Sequence, residues 1–341
     1  MRKVTLGRSG LEVTAVGFGG IPIQRISDDE AERVVRRALD LGINFIDTAS
    51  GYTDSQVKIG RAIRGRRDGL VLASKSGSKD KAGMLADIDR SRREMGADRI
   101  DLYQLHNCAT ADAWQAVSAP GGALEGMLEA RERGWIGHIG VTSHSLDFAL
   151  KLVEEDVFGT LQFPFNLVTG EPAERLIPRC RERGVGFIAM KPLCGGLYDD
   201  ATLAFKFLNG FPDVVPIPGI ERVEEIEQIA PLVEAGETLT GDERRRAEEA
   251  AEGLGKVFCR RCGYCAPCPN GVPVTGAMIF ESIAARLPTE KVVGHARAIV
   301  EGVAKCTECG LCEEKCPYNL PIRVTIKAAA EKAQQILVET G

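Results

Sequence analysis

Residues 100–143 read IDLYQLHNCATADAWQAVSAPGGALEGMLEARERGWIGHIGVTS. Two short apolar runs, IDLYQLH at 100–106 and IGHIGVTS at 136–143, bracket a longer segment with helical character. Each run is rich in Ile, Leu and Val and ends at polar residues, as a buried strand does. A strand, a helix and a second strand of the same kind make one parallel crossover unit.

The same alternation extends in both directions. Further runs are VTAVGFGG (13–20), NFIDTA (44–49), LVLASK (70–75), TLQFPF (160–165), GFIAMKP (186–192) and VVPIPG (214–219). The stretches between them read as amphipathic helices. DDEAERVVRRALDLG (28–42) opens on acidic residues, repeats apolar Val34, Val35, Ala38 and Leu39, and ends at Gly42, which are helix start, face and stop signals. Eight such alternations predict an α/β fold of the (β/α)₈ TIM-barrel class, eight being the number that closes a barrel. An open doubly wound sheet is the alternative, but no G-x-G-x-x-G follows an early strand. VTLGRSGLEV (4–13) predicts a hairpin turning at Gly7 to Gly10 and plugging the barrel's bottom.

Composition sets the remaining bounds. The 341 residues carry a net charge of −5, with 44% hydrophobic and 27% charged residues, ordinary values for a globular protein with room for a large domain and a small one. Neither a basic stripe for nucleic acid nor an apolar run of the ~20 residues that span a bilayer is present. The opening MRKVTLGRSGLEV lacks a signal peptide's apolar core, so the expected location is the cytoplasm. The expected division is 1–238 for the barrel and 239–341 for a helical bridge and a second domain. In that second part AGETLTGDERRRAEEAAEGLGKVF (235–258), MIFESIAARL (278–287), VVGHARAIVEGVA (292–304) and VTIKAAAEKAQQILVE (324–339) have helical periodicity, which predicts a small, mainly helical domain.

Cys108, Cys180 and Cys194 are scattered, whereas eight of the eleven cysteines fall between Cys259 and Cys316. Such crowding behind a cysteine-poor domain suits metal ligation in a reducing compartment better than disulfides. The first motif is Cys259-x₂-Cys262-x₂-Cys265-x₂-Cys268-Pro269, and the second is Cys306-x₂-Cys309-x₂-Cys312-x₃-Cys316-Pro317. The second is the bacterial ferredoxin run, in which three closely spaced thiolates hold one [4Fe–4S] cube and the fourth reaches another. The first departs from it by one residue before Cys268. Structural zinc also uses C-x₂-C pairs but needs only four ligands, which leaves a third cysteine at the same step unused. Two [4Fe–4S] clusters are therefore expected. Cross-ligation would group Cys259, Cys262, Cys265 and Cys316 on one cube and Cys306, Cys309, Cys312 and Cys268 on the other. In-order ligation stays open because of the altered gap.

Barrel active sites form at the C-terminal ends of the strands. Those ends present Asp47 after NFI, Tyr52 in the following loop, Lys75 closing LVLAS and His106 closing LYQL. Each alone reads as a cap or a surface charge, whereas at consecutive strand ends they form a candidate site. The strings FIDTASGY, LASKSG, LYQLHN, GHIGVTSH and PIPGIERVEE resemble the aldo/keto reductase superfamily, and the tail resembles its subgroup with a C-terminal ferredoxin-type domain.

That resemblance implies that Tyr52 protonates a carbonyl oxygen as nicotinamide delivers hydride to the carbon. Tyrosine by itself is a poor acid at neutral pH. The ammonium of Lys75 would favour the phenolate, Asp47 would keep Lys75 charged and in place, and His106 would orient the substrate oxygen. The resemblance also implies an NADP or NAD cofactor across the remaining strand ends. Ser143 and Gln162 would hold the carboxamide, with Gly20 and Met190 close to the nicotinamide end. The diphosphate and adenosine would lie near Gly219, Arg222 and Gln228. Glu225 would repel a 2′-phosphate and Arg222 would attract one, which leaves NAD and NADP both open. Cys108 and Cys194 read as small apolar packing near the same mouth, and His144 as a pocket-lining residue.

Hydride transfer moves two electrons and a [4Fe–4S] cluster takes one, and no flavin signature bridges them. The favoured function is a nicotinamide-dependent carbonyl or alcohol oxidoreductase acting on a small-molecule substrate. The alternative is an iron–sulfur relay or redox sensor whose barrel binds nicotinamide and passes single electrons to a partner such as a ferredoxin or flavoprotein.

Overall fold

The structure, a computed structural model, describes Met1–Thr340; the last position of the expected second domain, residue 341, lies outside the described residues. Strands β1 (Lys3–Thr5) and β2 (Glu12–Thr14) form the expected antiparallel hairpin. Gly7 in its turn has φ +50°, and Arg8 donates its N–H to the Gly184 carbonyl at 2.5 Å. A Cβ on Gly7 would lie 2.3 Å from the Gly186 nitrogen, so the close approach requires glycine. Leu6 is fully buried against this end of the barrel.

Eight parallel strands follow: β3 (Phe18–Gly19), β4 (Phe45–Asp47), β5 (Val71–Ser76), β6 (Ile100–Leu105), β7 (Ile136–Thr142), β8 (Thr160–Pro164), β9 (Gly186–Met190) and β10 (Val214–Ile217). Each pairs with the next in sequence order. The seam between β10 and β3 is closed by Gly17 N–H to the Pro216 carbonyl at 2.9 Å and Gly19 N–H to the Pro218 carbonyl at 2.8 Å. Because both prolines only accept there, the seam loses no hydrogen bond to their missing N–H groups. Near-continuous burial along β5 and β8 is that of strands covered on both faces.

The expected first run, 13–20, divides in two. Val13 and Thr14 belong to the hairpin, and only Phe18–Gly19 enters the barrel. The break sits at a reciprocal pair in which Thr14 N–H donates to Asn44 Oδ1 at 2.7 Å and Asn44 N–H to Thr14 Oγ1 at 3.2 Å. Those side-chain bonds replace the ladder and let the chain bend. The helix Asp28–Asp40 carries a capping box between Ser27 and Glu30 and buries Ala31, Val34, Val35, Ala38 and Leu39.

The chain divides into two compact units, Met1–Ala247 and the remainder from Glu248. The charged bridge forms the helix Gly241–Gly255. The second unit holds helices Val274–Met278, Phe280–Ala284, Thr289–Val303, Leu311–Glu314 and Ile322–Thr340. Phe280, Ala296 and Ala333 are the most buried members of its core. MIFESIAARL is not one helix, since Ile279 at φ −113° separates two short ones. The cysteines lie on and beside loops joining these helices. No described helix is long and apolar enough to cross a membrane.

Candidate functional site

Asp47, Lys75 and His106 come from β4, β5 and the residue after β6, and Tyr52 from the loop that follows Asp47; the structure brings all four to the C-terminal mouth. Lys75 Nζ donates to Asp47 Oδ2 at 2.5 Å and to the Thr48 carbonyl at 2.8 Å. It lies 5.1 Å from the Tyr52 ring centroid. The Tyr52 and His106 rings meet edge to face at 6.1 Å. Lys75 and Asp47 are buried, while Tyr52 and His106 are half-buried. Burial disfavours the Lys75 ammonium, but the Asp47 carboxylate and the Tyr52 hydroxyl outweigh it and hold the Lys75 pKa above its ordinary value.

The Tyr52 loop is held from several sides. Tyr52 N–H donates to the Ala49 carbonyl at 3.0 Å, and the Tyr52 carbonyl accepts from Ser55 N–H at 2.8 Å. Thr53 takes φ +35° and its hydroxyl donates to Gln24 Oε1 at 3.0 Å. Lys58, buried on the helix Ser55–Ala62, donates to the carbonyls of Ile23 and Ile26 and pairs with Asp54. These bonds knit the loop after β3 to the loop carrying Tyr52.

Sequence reasoning missed Gln104. Its Nε2 donates to Asp47 Oδ1 at 3.1 Å, and Gln162 Nε2 reaches the same oxygen at 3.0 Å. Asp47 thus accepts from one ammonium and two amides. The signal was there, since an amide sits within the apolar runs IDLYQLH and TLQFPF, where burial demands a polar partner. Gln104 is fully buried and its Oε1 has no hydrogen-bond partner.

The remaining cofactor candidates are spread along the strand ends. Gly20 donates its N–H to the Asp47 carbonyl at 2.8 Å, and a Cβ there would lie 2.9 Å from Ser55 Oγ. Ser143 is buried at the end of β7 and Met190 half-buried at the end of β9. Gly219 bridges to Gly19 at the seam. Arg222 caps the helix Val223–Ala235 and ion-pairs with Glu225 at 3.0 Å. Glu225 Oε2 also accepts from the N–H groups of Glu221 and Arg222 at 2.9 and 3.2 Å, so a carboxylate already satisfies that helix terminus. Gln228 is exposed on the same helix. Asn107, at φ +62°, holds His144 Nδ1 at 2.9 Å beside the mouth. Burial pushes the Cys108 thiol up to about 11, which leaves it uncharged at neutral pH. Trp114, on the helix Ala111–Ser118, packs its ring 5.7 Å from Phe158.

Within the second unit the eight clustered cysteines surround two cavities. One, enclosing about 330 Å³ of space partly open to solvent, is lined by Cys259, Cys262, Cys265 and Cys316 together with Tyr318 and Thr275. The other, about 420 Å³, is lined by Cys268, Cys306, Cys309 and Cys312, and also by Cys265. Burial by itself pushes the thiols of Cys259, Cys262 and Cys312 up, so their thiolate forms call for a cationic partner in the cavity. Cys316 is buried and Cys309 is exposed.

Comparisons with known proteins agree with both halves. Residues 15–207 match the family model of the aldo/keto reductase family, and residues 258–321 match that of a 4Fe-4S dicluster domain. The uncharacterized oxidoreductase YqkF of Bacillus subtilis is 28% identical over 217 residues, 60% of this chain and 68% of that protein. The L-galactose dehydrogenase of Arabidopsis thaliana is 30% identical over 211 residues, 56% of this chain and 65% of that protein. This chain therefore spans about two thirds of the length of such relatives. Among solved structures, aldo-keto reductase AKR11C1 from Bacillus halodurans in its holo form superposes with a TM-score of 0.64 at 24% identity, covering 73% of this chain and 96% of that one. An aldo/keto reductase from Klebsiella pneumoniae in complex with NADP and acetate gives 0.61 at 24%, covering 73% and 95%. The chain belongs to the aldo/keto reductase family. It is an oxidoreductase of that family with a 4Fe-4S dicluster domain at its C-terminal end.

Proposed function

We propose that the barrel interconverts a small-molecule carbonyl and the corresponding alcohol with NADP or NAD, with Tyr52 as the general acid and, in reverse, the general base. The observation that carries this reading is the buried Lys75–Asp47 pair set against Tyr52 beside His106. The residues suit a nicotinamide: buried Ser143 and Gln162, with the unpartnered Oε1 of buried Gln104, offer the donors and acceptors a carboxamide needs. Bound nicotinamide supplies the hydride. Tyr52 moves the proton at its hydroxyl, Lys75 stabilises the phenolate left behind, Asp47 keeps Lys75 charged, and His106 orients the substrate oxygen. Gly20 and Met190 would flank the nicotinamide end, and Gly219, Arg222 and Gln228 the diphosphate and adenosine. The NADP in the Klebsiella pneumoniae neighbour supports a nicotinamide cofactor here. Glu225 at the helix terminus opposes a 2′-phosphate while Arg222 attracts one, and comparing NADH with NADPH turnover decides between them.

Protein purified without oxygen and screened against a carbonyl and alcohol panel should show nicotinamide-dependent turnover. Tyr52→Phe should lower that turnover by about 10²- to 10⁴-fold, the range for loss of a general acid. Full activity in Tyr52→Phe would remove it from the chemistry.

For the tail we infer two [4Fe–4S] clusters, one on Cys259, Cys262, Cys265 and Cys316 and the other on Cys268, Cys306, Cys309 and Cys312. The lining of the two cavities supports this cross-ligated grouping over the in-order one. Such clusters supply one-electron redox chemistry, and a reducing compartment such as the cytoplasm suits them. The anaerobic protein should hold about eight iron atoms per chain, four for each cube. A second reading, the electron relay, draws on Cys265 lining both cavities, which would set two bound clusters side by side. Stopped-flow mixing with NADH or NADPH separates the two readings: bleaching of the visible cluster absorption by nicotinamide alone supports the relay.

A further inference from the structure

Cys265 lines both cavities, and its Sγ lies 3.6 Å from the hydroxyl of Thr275. Thr275 sits in the first turn of the helix Val274–Met278 and lines only the cavity of Cys259, Cys262 and Cys316. A sulfur that ligates iron has no proton to give, so in the loaded protein the hydroxyl is the donor. A hydrogen bond to a ligating sulfur draws charge from it and stabilises the more negative, reduced state of the cluster. The cationic side chains do not separate the two cavities in the same way. Arg260 lies 3.9 Å over the Tyr318 ring, and both line the first cavity; Lys315 and Arg323 line the second.

We propose that Thr275 is a positioning residue for electrons. Its hydroxyl on Cys265 raises the reduction potential of the cluster held by Cys259, Cys262, Cys265 and Cys316, and so sets the potential gap across which one electron passes between the two clusters. In that step one cluster is oxidised by one electron and the other reduced by one, with no proton or other reactant required. The first electron comes from a low-potential one-electron donor, for which dithionite stands in. Cys265, a ligand of the first cluster in this grouping, is also in the lining of the second cavity. The proposal rests on the two-cluster reading above.

The test is a redox titration of the full chain followed by low-temperature electron paramagnetic resonance, on the wild type, Thr275→Val and Thr275→Ser. Valine keeps the shape and removes the donor; serine restores it. In Thr275→Val one cluster should become harder to reduce, its ratio of reduced to oxidised form at fixed potential falling about three- to tenfold, where tenfold is 59 mV for one electron. The other cluster should stay at its wild-type potential, and Thr275→Ser should sit close to wild type. Iron content separates the possible failures. Fewer than about eight iron atoms in the wild type overturns the two-cluster reading, and this proposal with it. A full complement with both potentials unchanged in Thr275→Val overturns the role of Thr275 alone. Equal shifts of both clusters would also overturn it, because the hydroxyl would then act as a general field.

Discussion

At the scale of the residue, the barrel site is an electrostatic arrangement around one carboxylate. Asp47 accepts from Lys75, Gln104 and Gln162, and losing any of these leaves buried charge or polarity short of a partner. Lys75→Met breaks a buried pair and should destabilise the barrel by about 3–5 kcal/mol, read as a lower urea midpoint at neutral pH. The pH dependence follows from the raised Lys75 pKa. Its ordinary value is 10.5 and the folded value is higher. The pair's contribution is therefore complete below 10.5 and is lost as the pH climbs from there through the folded value. The stability difference between wild type and Asp47→Asn should accordingly be constant through neutral pH and narrow in the alkaline range. A difference that already shrinks near neutrality would contradict a charged Lys75. Gln104→Leu keeps volume but removes one donor from Asp47, at a cost of about 1–3 kcal/mol. It should leave the Tyr52–His106 ring contact in place, which an aromatic-region NMR spectrum can check.

At the scale of the element, the fold depends on a few places where backbones touch. The hairpin meets the barrel through Gly7, whose Cβ position falls 2.3 Å from the Gly186 nitrogen and whose φ is +50°. Gly7→Ala should cost about 1–3 kcal/mol from the strained backbone alone, with the clash added, and should lower the midpoint of thermal unfolding. Apolar runs and helix periods made the alternation of strands and helices legible, and the acidic residues Asp28, Asp29 and Glu30 marked a helix start in sequence. The division of 13–20 was not legible. Its cause is the pairing of Thr14 with Asn44, thirty positions along the chain, and no local pattern carries a contact of that span. The break at Ile279 was hidden for a related reason, since both short helices share the apolar period of a single long one.

At the scale of the whole molecule, the two compact units answer to different forces. The barrel is large enough to hold itself by burial, whereas for a small unit lined by eight thiols the two clusters inferred above would add binding energy that is folding energy. Removing iron with a chelator should therefore abolish or lower the unfolding transition of the second unit and leave that of the barrel nearly unchanged, giving two separate transitions by calorimetry. A single transition unmoved by iron removal would count against metal-dependent folding. The aldo/keto reductase family match lies in the first unit and the dicluster domain match in the second.

The sequence by itself determined the class of barrel, the helical character of the tail, the four polar groups at consecutive strand ends and the thiol spacing, because each is written in local periodicity or in gaps of two or three residues. The tertiary structure decided what those groups touch. It alone placed Gln104 and Gln162 on Asp47, Lys58 between two loops, and Thr275 on Cys265. Those contacts join residues distant along the chain, and their energies come from burial and alignment in three dimensions, which a one-dimensional pattern does not contain.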